Sequence, residues 1–303
     1  MARVIVTGAT GAIGVSLLNL LHREKIPTLV LLHKGSERNR NVLCSEFIKT
    51  KYCNIDEYES FNENEKEVYD IFFHMAWRGG SVRNDVEMHY DNVGYALNAL
   101  RLAARLGCKR FVFTGSQAEY GLTDHKLVGS TPCKPINPFG ASKLYAGQMT
   151  RFMAAQLGIE HIWCRILSVY GPYDRKSTMI SYVLEQFLKN RSPKLTKCEQ
   201  IWDYLYSDDA AKAIFLCGML GRPDRIYPIG SGEEHNLREY VFEMHKICNS
   251  TADIQFGEIP YSNDQIMYLS ADISELVEDT GFHKEVSFHD GIEKTIRWIK
   301  DCR

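Results

Sequence analysis

The stretch from Arg3 to Glu24, "RVIVTGATGAIGVSLLNLLHRE", decides the fold. A short apolar, β-branched run gives way at Gly8 to a glycine-rich turn, and from Ala12 the apolar residues recur at helical spacing. Glycines stand at 8, 11 and 14, between the strand and the helix. In that setting the first permits a tight turn, the second lets backbone N–H groups approach a pyrophosphate, and the third allows close packing of helix on strand. The helix N-terminus then faces an anion with unpaired donors and the positive end of its dipole. This order predicts a dinucleotide site, against the alternative of a plain glycine-rich turn.

The chain continues in the same rhythm. "TLVLLH" (28–33), "DIFFHMA" (70–76) and "RFVFTG" (110–115) read as further strands, buried on both faces because apolar residues do not alternate with polar ones. Residues 86–108 form a long helical pattern ending at Gly107, and 138–158 another ending at Gly158. "IEHIWCRILSVYGP" (159–172) is a strand running into a turn, after which helices are expected near 177–190, 207–220, 237–249, 272–280 and 288–302. In the last part of "YLYSDDAAKAI" (204–214), Ser207 or Asp208 is expected to cap a helix and Asp209 to lie in its first turn. Alternating strands and helices predict an α/β fold, a doubly wound parallel sheet over 1–171 with a smaller C-terminal α/β domain over 172–303. Part of 200–255 is free to return to the large sheet.

Composition narrows the function. With 303 residues, 45% hydrophobic and 24% charged, the chain can bury a large core and is neither disordered nor fibrous. A net charge of -2 gives no general attraction for nucleic acid or an anionic membrane surface. The nine cysteines are scattered, without a CxxC pair or zinc spacing, so reduced thiols and no metal are expected. No window approaches the roughly 18 apolar residues of a membrane span and no signal peptide opens the chain, which predicts a soluble, cytoplasmic protein.

The second strand selects the dinucleotide. An NAD site typically ends it with a carboxylate for the ribose 2′-hydroxyl, whereas NADP needs cations for the 2′-phosphate. Here "LLHKGSERNR" ends without Asp or Glu and brings His33, Lys34, Arg38 and Arg40 together. NADP is therefore expected over NAD, although Glu37 leaves open the reading of a solvated basic loop.

Taken in order, "TGATGAIG", "FFHMAW" (72–77), "DNV" (91–93), "FVFTGSQAEYG" (111–121), "PFGASK" (138–143), "RILSVYGP" (165–172) and "WDYLYSDDAAKA" (202–213) give a family likeness. The chain resembles the extended short-chain dehydrogenase/reductases of the epimerase/dehydratase type, Rossmann-type enzymes that act on nucleotide-linked sugars. The resemblance implies Gly8, Gly11, Ala12, Ile13 and Gly14 at the pyrophosphate, Lys34 and Arg38 at the 2′-phosphate, Asn54 and Ile55 near the adenine, Ala76 and Trp77 along the dinucleotide, and Tyr170 and Pro172 at the nicotinamide end. It also implies a nucleotide-diphosphate sugar between the domains, with Gln117, Ser168 and Trp202 near it. Ser168 and Trp202 replace the Asn and Arg common in relatives, so Arg78, Arg83 and Arg175 become candidates for the diphosphate. The two long helices resemble those that join two copies in a four-helix bundle, which implies a homodimer.

Family members use a Tyr, a Lys one helical turn on, and a Ser or Thr after the fifth strand. Lys143 and Ser116 fit the last two roles, and the resemblance implies that Lys143 also holds the nicotinamide ribose while its charge lowers the Tyr pKa, but the Tyr position holds Phe139. Phenylalanine has no proton to exchange, and loss of such acid–base help typically costs about 10²–10⁴-fold. Tyr145 points roughly 200° away on the same helix, and Glu119, Tyr120 and Tyr170 are weak substitutes. Three explanations stand: a Tyr-to-Phe variant that holds substrate without turnover, a natural protein with another acid, or a silent binding protein. Dehydratases of the family carry Asp–Glu after the Ser/Thr, where this chain has Gln117–Ala118, and Glu119 falls one position late, turned away if the segment is extended. An NADPH-dependent 4-ketoreductase of 4-keto-6-deoxy nucleotide sugars is therefore expected, with a 4-epimerase as the alternative.

Overall fold

The computed structural model describes residues 2–62 and 67–302. Its elements run β1 (Val4–Thr7), α1 (Ala12–Arg23), β2 (Thr28–Leu32), β3 (Ile48–Tyr52), β4 (Ile71–His74), α2 (Val86–Arg105), β5 (Arg110–Ser116), α3 (Pro138–Leu157), β6 (Glu160–Ile166) and β7 (Ser168–Tyr170). They continue through α4 (Met179–Leu188), β8 (Ile201–Trp202), β9 (Tyr204–Tyr206), α5 (Ser207–Leu220), β10 (Ile226–Ile229), β11 (His235–Asn236), α6 (Leu237–Ile247), β12 (Tyr268–Leu269), α7 (Ser274–Thr280) and α8 (Phe288–Cys302).

A parallel sheet in the order β10-β6-β5-β4-β1-β2-β3 forms the centre. β1, β2 and β4 are buried at every position, as strands covered on both faces must be. Residues of α1 and α5 pack on one face with Val4, Val6, Val30 and Phe73. Those of α2 and α3 pack on the other with Ile5, Phe72, Phe111 and Phe113. The chain steps outward from β1 through β2 to β3, then returns to the opposite side of β1 with β4. That reversal opens a crevice at the carboxyl ends of β1 and β4, where doubly wound sheets take their ligands.

Local chemistry sets the long helices. The Asp85 carboxylate accepts from Met88 N at 3.0 Å to start α2, and the Asn137 side chain accepts from Gly140 N at 2.9 Å to start α3, with Pro138 in the first turn. Gly158, at φ +67°, ends α3 in the left-handed conformation expected of it.

The remaining elements form a smaller layer, with β8 between β11 and β12, β7 beside β9, and α4, α6 and α8 around a separate apolar cluster. Between the two layers the chain crosses back, since β10 completes the large sheet and α5 packs on α1. The expected cap of α5 is corrected: Tyr206 occupies the cap position and no side chain closes it. Asp208 and Asp209 lie in the first turn, but their carboxylates bind distant groups. Asp208 accepts from Ser16 Oγ of α1 at 2.6 Å, and Asp209 accepts from Glu285 N and Val286 N at 2.9 and 3.0 Å.

Asp203, fully buried, joins three segments through its carboxylate, which accepts from Ser231 N (2.7 Å), Gly232 N (3.1 Å) and Ala271 N (3.1 Å). Removing it strands three amides without partners. Asp203→Ala should lower the unfolding free energy by about 3 kcal/mol, read as a fall in the urea midpoint. An unchanged midpoint would contradict this role.

Candidate functional site

A cavity of about 740 Å³ opens at the crevice and runs from the end of β2 to the loop after β7. Gly8 turns the chain at φ +74°, and a Cβ there would lie 2.5 Å from the carbonyl carbon of Met75. A Cβ on Gly14 would meet Gly8 O at 2.4 Å, so α1 sits as close to β1 as backbone allows. A Cβ on Gly11 would meet nothing nearer than the Arg38 guanidinium at 3.9 Å; that position faces open cavity. No side chain caps the N-terminus of α1. Backbone donors, a helix dipole and open space together fit the pyrophosphate of a dinucleotide.

At the far end of the cavity, His33, Ser36, Arg38 and Asn39 follow β2, opposite Asn54, Ile55, Asp56 and Tyr58. No carboxylate lies within ion-pair distance of Arg38 among the described residues. Lys34 differs from expectation. Its amide donates to Asn54 Oδ1 at 2.9 Å and its ammonium pairs with Glu57 at 2.7 Å, which directs it away from the cavity. Asn54 also begins a short 3₁₀ turn whose Glu57 returns a hydrogen bond to its amide.

At the other end, Ala76, Trp77, Arg78 and Thr114 form the wall. Phe139 is buried behind it, edge-on to Trp77 and to His89, with the Arg83 guanidinium 5.4 Å from its ring centroid. Lys143 lies one turn further along α3, 4% exposed. Its Nζ donates to Thr114 O at 2.7 Å and sits 4.0 Å from the centroid of the Trp77 ring. Burial pulls this ammonium down to about 7, while the charge of Glu119 acts in the other direction.

Residues 4–230 match the NAD dependent epimerase/dehydratase family. The chain belongs to that family. Among curated relatives, a putative UDP-glucose 4-epimerase of Methanocaldococcus jannaschii is 29% identical over 314 residues, covering 98% of each chain. Among solved structures, the UDP-N-acetylglucosamine 4-epimerase of Methanobrevibacter ruminantium M1, in complex with UDP-N-acetylmuramic acid, superimposes with a TM-score of 0.88 at 20% identity, covering 100% of this chain and 99% of that one. A Tyr-to-Phe mutant of the UDP-glucuronic acid 4-epimerase of Bacillus cereus, in complex with UDP-4-deoxy-4-fluoro-glucuronic acid and NAD, gives 0.85 at 19% identity, covering 99% of this chain and 100% of that one.

Within this epimerase/dehydratase fold, several expected site residues lie elsewhere. Alternation along β7 puts Val169 at the cavity and turns Tyr170 into the core of the smaller layer. There the Tyr170 hydroxyl donates to Phe288 O at 3.3 Å. Tyr173, Asp174 and Arg175 line the cavity where Tyr170 and Pro172 were expected. Their position directly after "YGP" is the signal that could have pointed to them.

Ser168 and Trp202 are joined to each other, the indole N–H donating to Ser168 Oγ at 2.8 Å. Ser116 is occupied locally: its Oγ accepts from Ala118 N at 3.2 Å at the start of a 3₁₀ turn spanning Gln117–Glu119. The extended geometry expected there is replaced by that turn, which folds Glu119 back. Its carboxylate accepts from Ser116 N (2.7 Å), Arg165 Nε (2.6 Å) and Trp163 Nε1 (3.1 Å), fully buried. Tyr120 is likewise engaged, donating to Val128 O at 3.0 Å. Gln117 is buried, and its Oε1 has no partner among the described residues. Arg78 and Arg175 line the cavity, while Arg83 lies outside its wall beside Phe139.

An unfolded lysine holds its proton to about pH 10.4, whereas folded Lys143 releases it near 7. The unfolded chain therefore binds more protons between these values, and this group's cost to stability shrinks as pH rises through them. Lys143→Met should raise Tm most below pH 7, by the equivalent of up to about 4 kcal/mol, with the gain fading toward pH 10. Thermal melts across that range check it; a gain independent of pH would contradict the cost assigned to burying this ammonium.

Proposed function

We propose that this chain reduces the C4 ketone of a nucleotide-linked 4-keto-6-deoxy sugar at the expense of NADPH. Arg38 carries the reading. It lines the cavity after β2, beside Gly11 and with no carboxylate at ion-pair distance among the described residues, where a 2′-phosphate would need a cation. A bound nicotinamide dinucleotide supplies hydride to the sugar carbon. The chain's own part is to bind and orient. Gly8, Gly11, Ala12, Ile13 and Gly14 take the pyrophosphate, His33 and Arg38 the 2′-phosphate, and Asn54 and Ile55 the adenine side. Ala76 and Trp77 border the nicotinamide half. Arg78 and Arg175, on the cavity wall, and Arg83 behind it supply positive charge for the diphosphate of the sugar nucleotide. Gln117–Ala118 offers no acid–base pair for dehydration, and the carboxylate of Glu119 is held by Arg165.

A second reading, 4-epimerisation, is favoured by the relatives, several of which are named as 4-epimerases. An epimerase retains its dinucleotide through the reaction, whereas a reductase exchanges it. Protein that purifies without dinucleotide and oxidises NADPH with a 4-keto-6-deoxy nucleotide sugar supports reduction. Interconversion of two sugar epimers with no net oxidation of cofactor supports the second reading. Binding without turnover, in the wild type and in Phe139→Tyr alike, would leave a silent binding protein.

The cofactor preference has its own test. Arg38→Ala should raise KM for NADPH about tenfold or more while leaving that for NADH within a few-fold, since charge-assisted hydrogen bonds contribute about 1.5–3 kcal/mol. Equal losses for both cofactors would remove the argument for NADP.

We also propose that two copies associate through α2 and α3. Their outer faces expose Val86, Tyr90, Tyr145 and Phe152, apolar groups that water alone does not favour. Tyr145→Glu combined with Phe152→Glu should shift the sedimentation coefficient from dimer to monomer; a monomeric wild type would overturn the proposal.

A further inference from the structure

The rim of the cavity at the carboxyl end of β4 carries positive charge that no neighbouring carboxylate balances. Arg78 and Arg83 stand in the turn after β4, and Arg175 in the loop after β7. Arg78 and Arg175 line the cavity, and Arg83 lies next to its wall over Phe139. Among the described residues, none of these guanidinium groups has a carboxylate at ion-pair distance or a hydrogen bond. Desolvation and, after it, the charge of Arg175 lower the proton affinity of the Arg83 guanidinium, so these two cations stand close enough to repel.

The backbones that carry these groups are pinned. The Asn92 side chain clamps Arg78 from both sides, accepting from its N–H at 2.8 Å and donating to its carbonyl at 2.9 Å. Val82 N donates to Gly79 O at 2.9 Å, and Arg83 O accepts from Phe139 N at 3.1 Å. On the other loop, Tyr173 takes a left-handed φ of +64°, with its ring against Trp298. A bulky residue keeps such a φ only where its surroundings enforce it. The Asp174 carboxylate then accepts from Arg175 N at 2.7 Å and from Thr178 Oγ1 at 2.8 Å. Freedom is left to the arginine side chains rather than to the loops.

The two supports meet at Gly80. Arg175 Nη2 lies over it, 3.1 Å from where a Cβ would stand. The loop from the smaller layer therefore touches the turn from the large sheet, and this contact closes one side of the cavity. Gly80 gives the guanidinium room but no charge to hold it. An oxyanion placed there would bond to both loops at once, because guanidinium groups match phosphate oxygens in pairs.

We propose that Arg78, Arg83 and Arg175 form one diphosphate seat shared by the two loops, and that filling it locks in a dinucleotide already in the cavity. The inference rests on the nucleotide-sugar reading above and holds for reduction and epimerisation alike. Cations that repel while the seat is empty are drawn together when two phosphates stand between them. Arg175 is then held on the turn, and the dinucleotide beneath it stays until the sugar nucleotide has left. The dinucleotide binds first and leaves last. By linkage it also tightens the sugar nucleotide by the same factor.

The test needs no turnover. NADPH bound to the protein is chased with excess NADP, and the loss of its fluorescence gives the dissociation rate. UDP, dTDP, CDP and GDP, each added at saturation, stand for the diphosphate. At least one should slow NADPH dissociation about tenfold or more, within the usual span of coupling between two ligands. Titration calorimetry should show that nucleotide binding about tenfold more tightly to the NADPH complex than to the free protein. Arg175→Gln should bring the slowing below about twofold, whereas Lys176→Gln, which removes an exposed charge one residue on, should keep it. Unchanged NADPH dissociation beside a nucleotide that binds would overturn the lock while leaving the nucleotide-sugar reading in place, and so would full slowing in Arg175→Gln. If Arg175→Gln loses NADPH faster with no nucleotide added, by as much as the slowing it abolishes, the seat serves the dinucleotide itself and the proposal falls. Failure of all the nucleotides to bind would overturn the nucleotide-sugar reading, and the lock with it.

Discussion

Everything in this molecule is referred to the close approach of α1 to β1. Gly14 meets the backbone of Gly8 and Ala9 at distances no other residue could tolerate, and Gly8 in turn lies against the backbone leaving β4. These contacts fix how far the first helix stands from the sheet and leave its N-terminus pointing along the crevice. The cavity exists because that terminus is neither capped nor filled. A methyl group at Gly14 would push the helix outward, and one at Gly8 would strike the backbone of Met75 and Ala76; either shift lifts the donors from the place where a pyrophosphate is met.

The second constraint is the way the smaller layer is tied to the larger. Carboxylates accept backbone N–H groups from other segments, Asp203 at two loops and Asp209 at the approach to α8, while Asp208 takes the Ser16 hydroxyl of α1. Buried carboxylates are costly unless such donors surround them, so Asp203 and Asp209 hold their segments together only in one arrangement. Arg175 reaches the cavity from the loop between these layers.

The fold was largely legible in the sequence because its signals are local. Glycines at the first turn, unalternating strands, Asn137 before Pro138, and Gly158 after α3 act over a few residues, and the helices and strands fall close to where those signals put them. The site was legible only in part. The glycine turn, Arg38, Trp77 and Arg175 come to the cavity, but Lys34 is drawn off by Glu57, a residue 23 positions away that no local pattern pairs with it. Tyr170 was misplaced by one step of alternation in a three-residue strand, and Glu119 by a 3₁₀ turn where an extended chain was assumed. Each miss is a side chain whose partner lies far away in sequence or whose face depends on a single residue of phase.

The two borders of the large sheet differ in chemistry but share an effect. β3, the outer strand beyond β2, is exposed along four of its five residues and carries Lys49 and Lys51. At the opposite border, β10 turns Pro228 outward, since Arg225 and Ile229 make the bonds to β6, and proline has no N–H to offer. Charge at one border and a missing donor at the other discourage a neighbouring chain from adding its own strand. Edge-to-edge joining of two such sheets is thereby disfavoured at both borders.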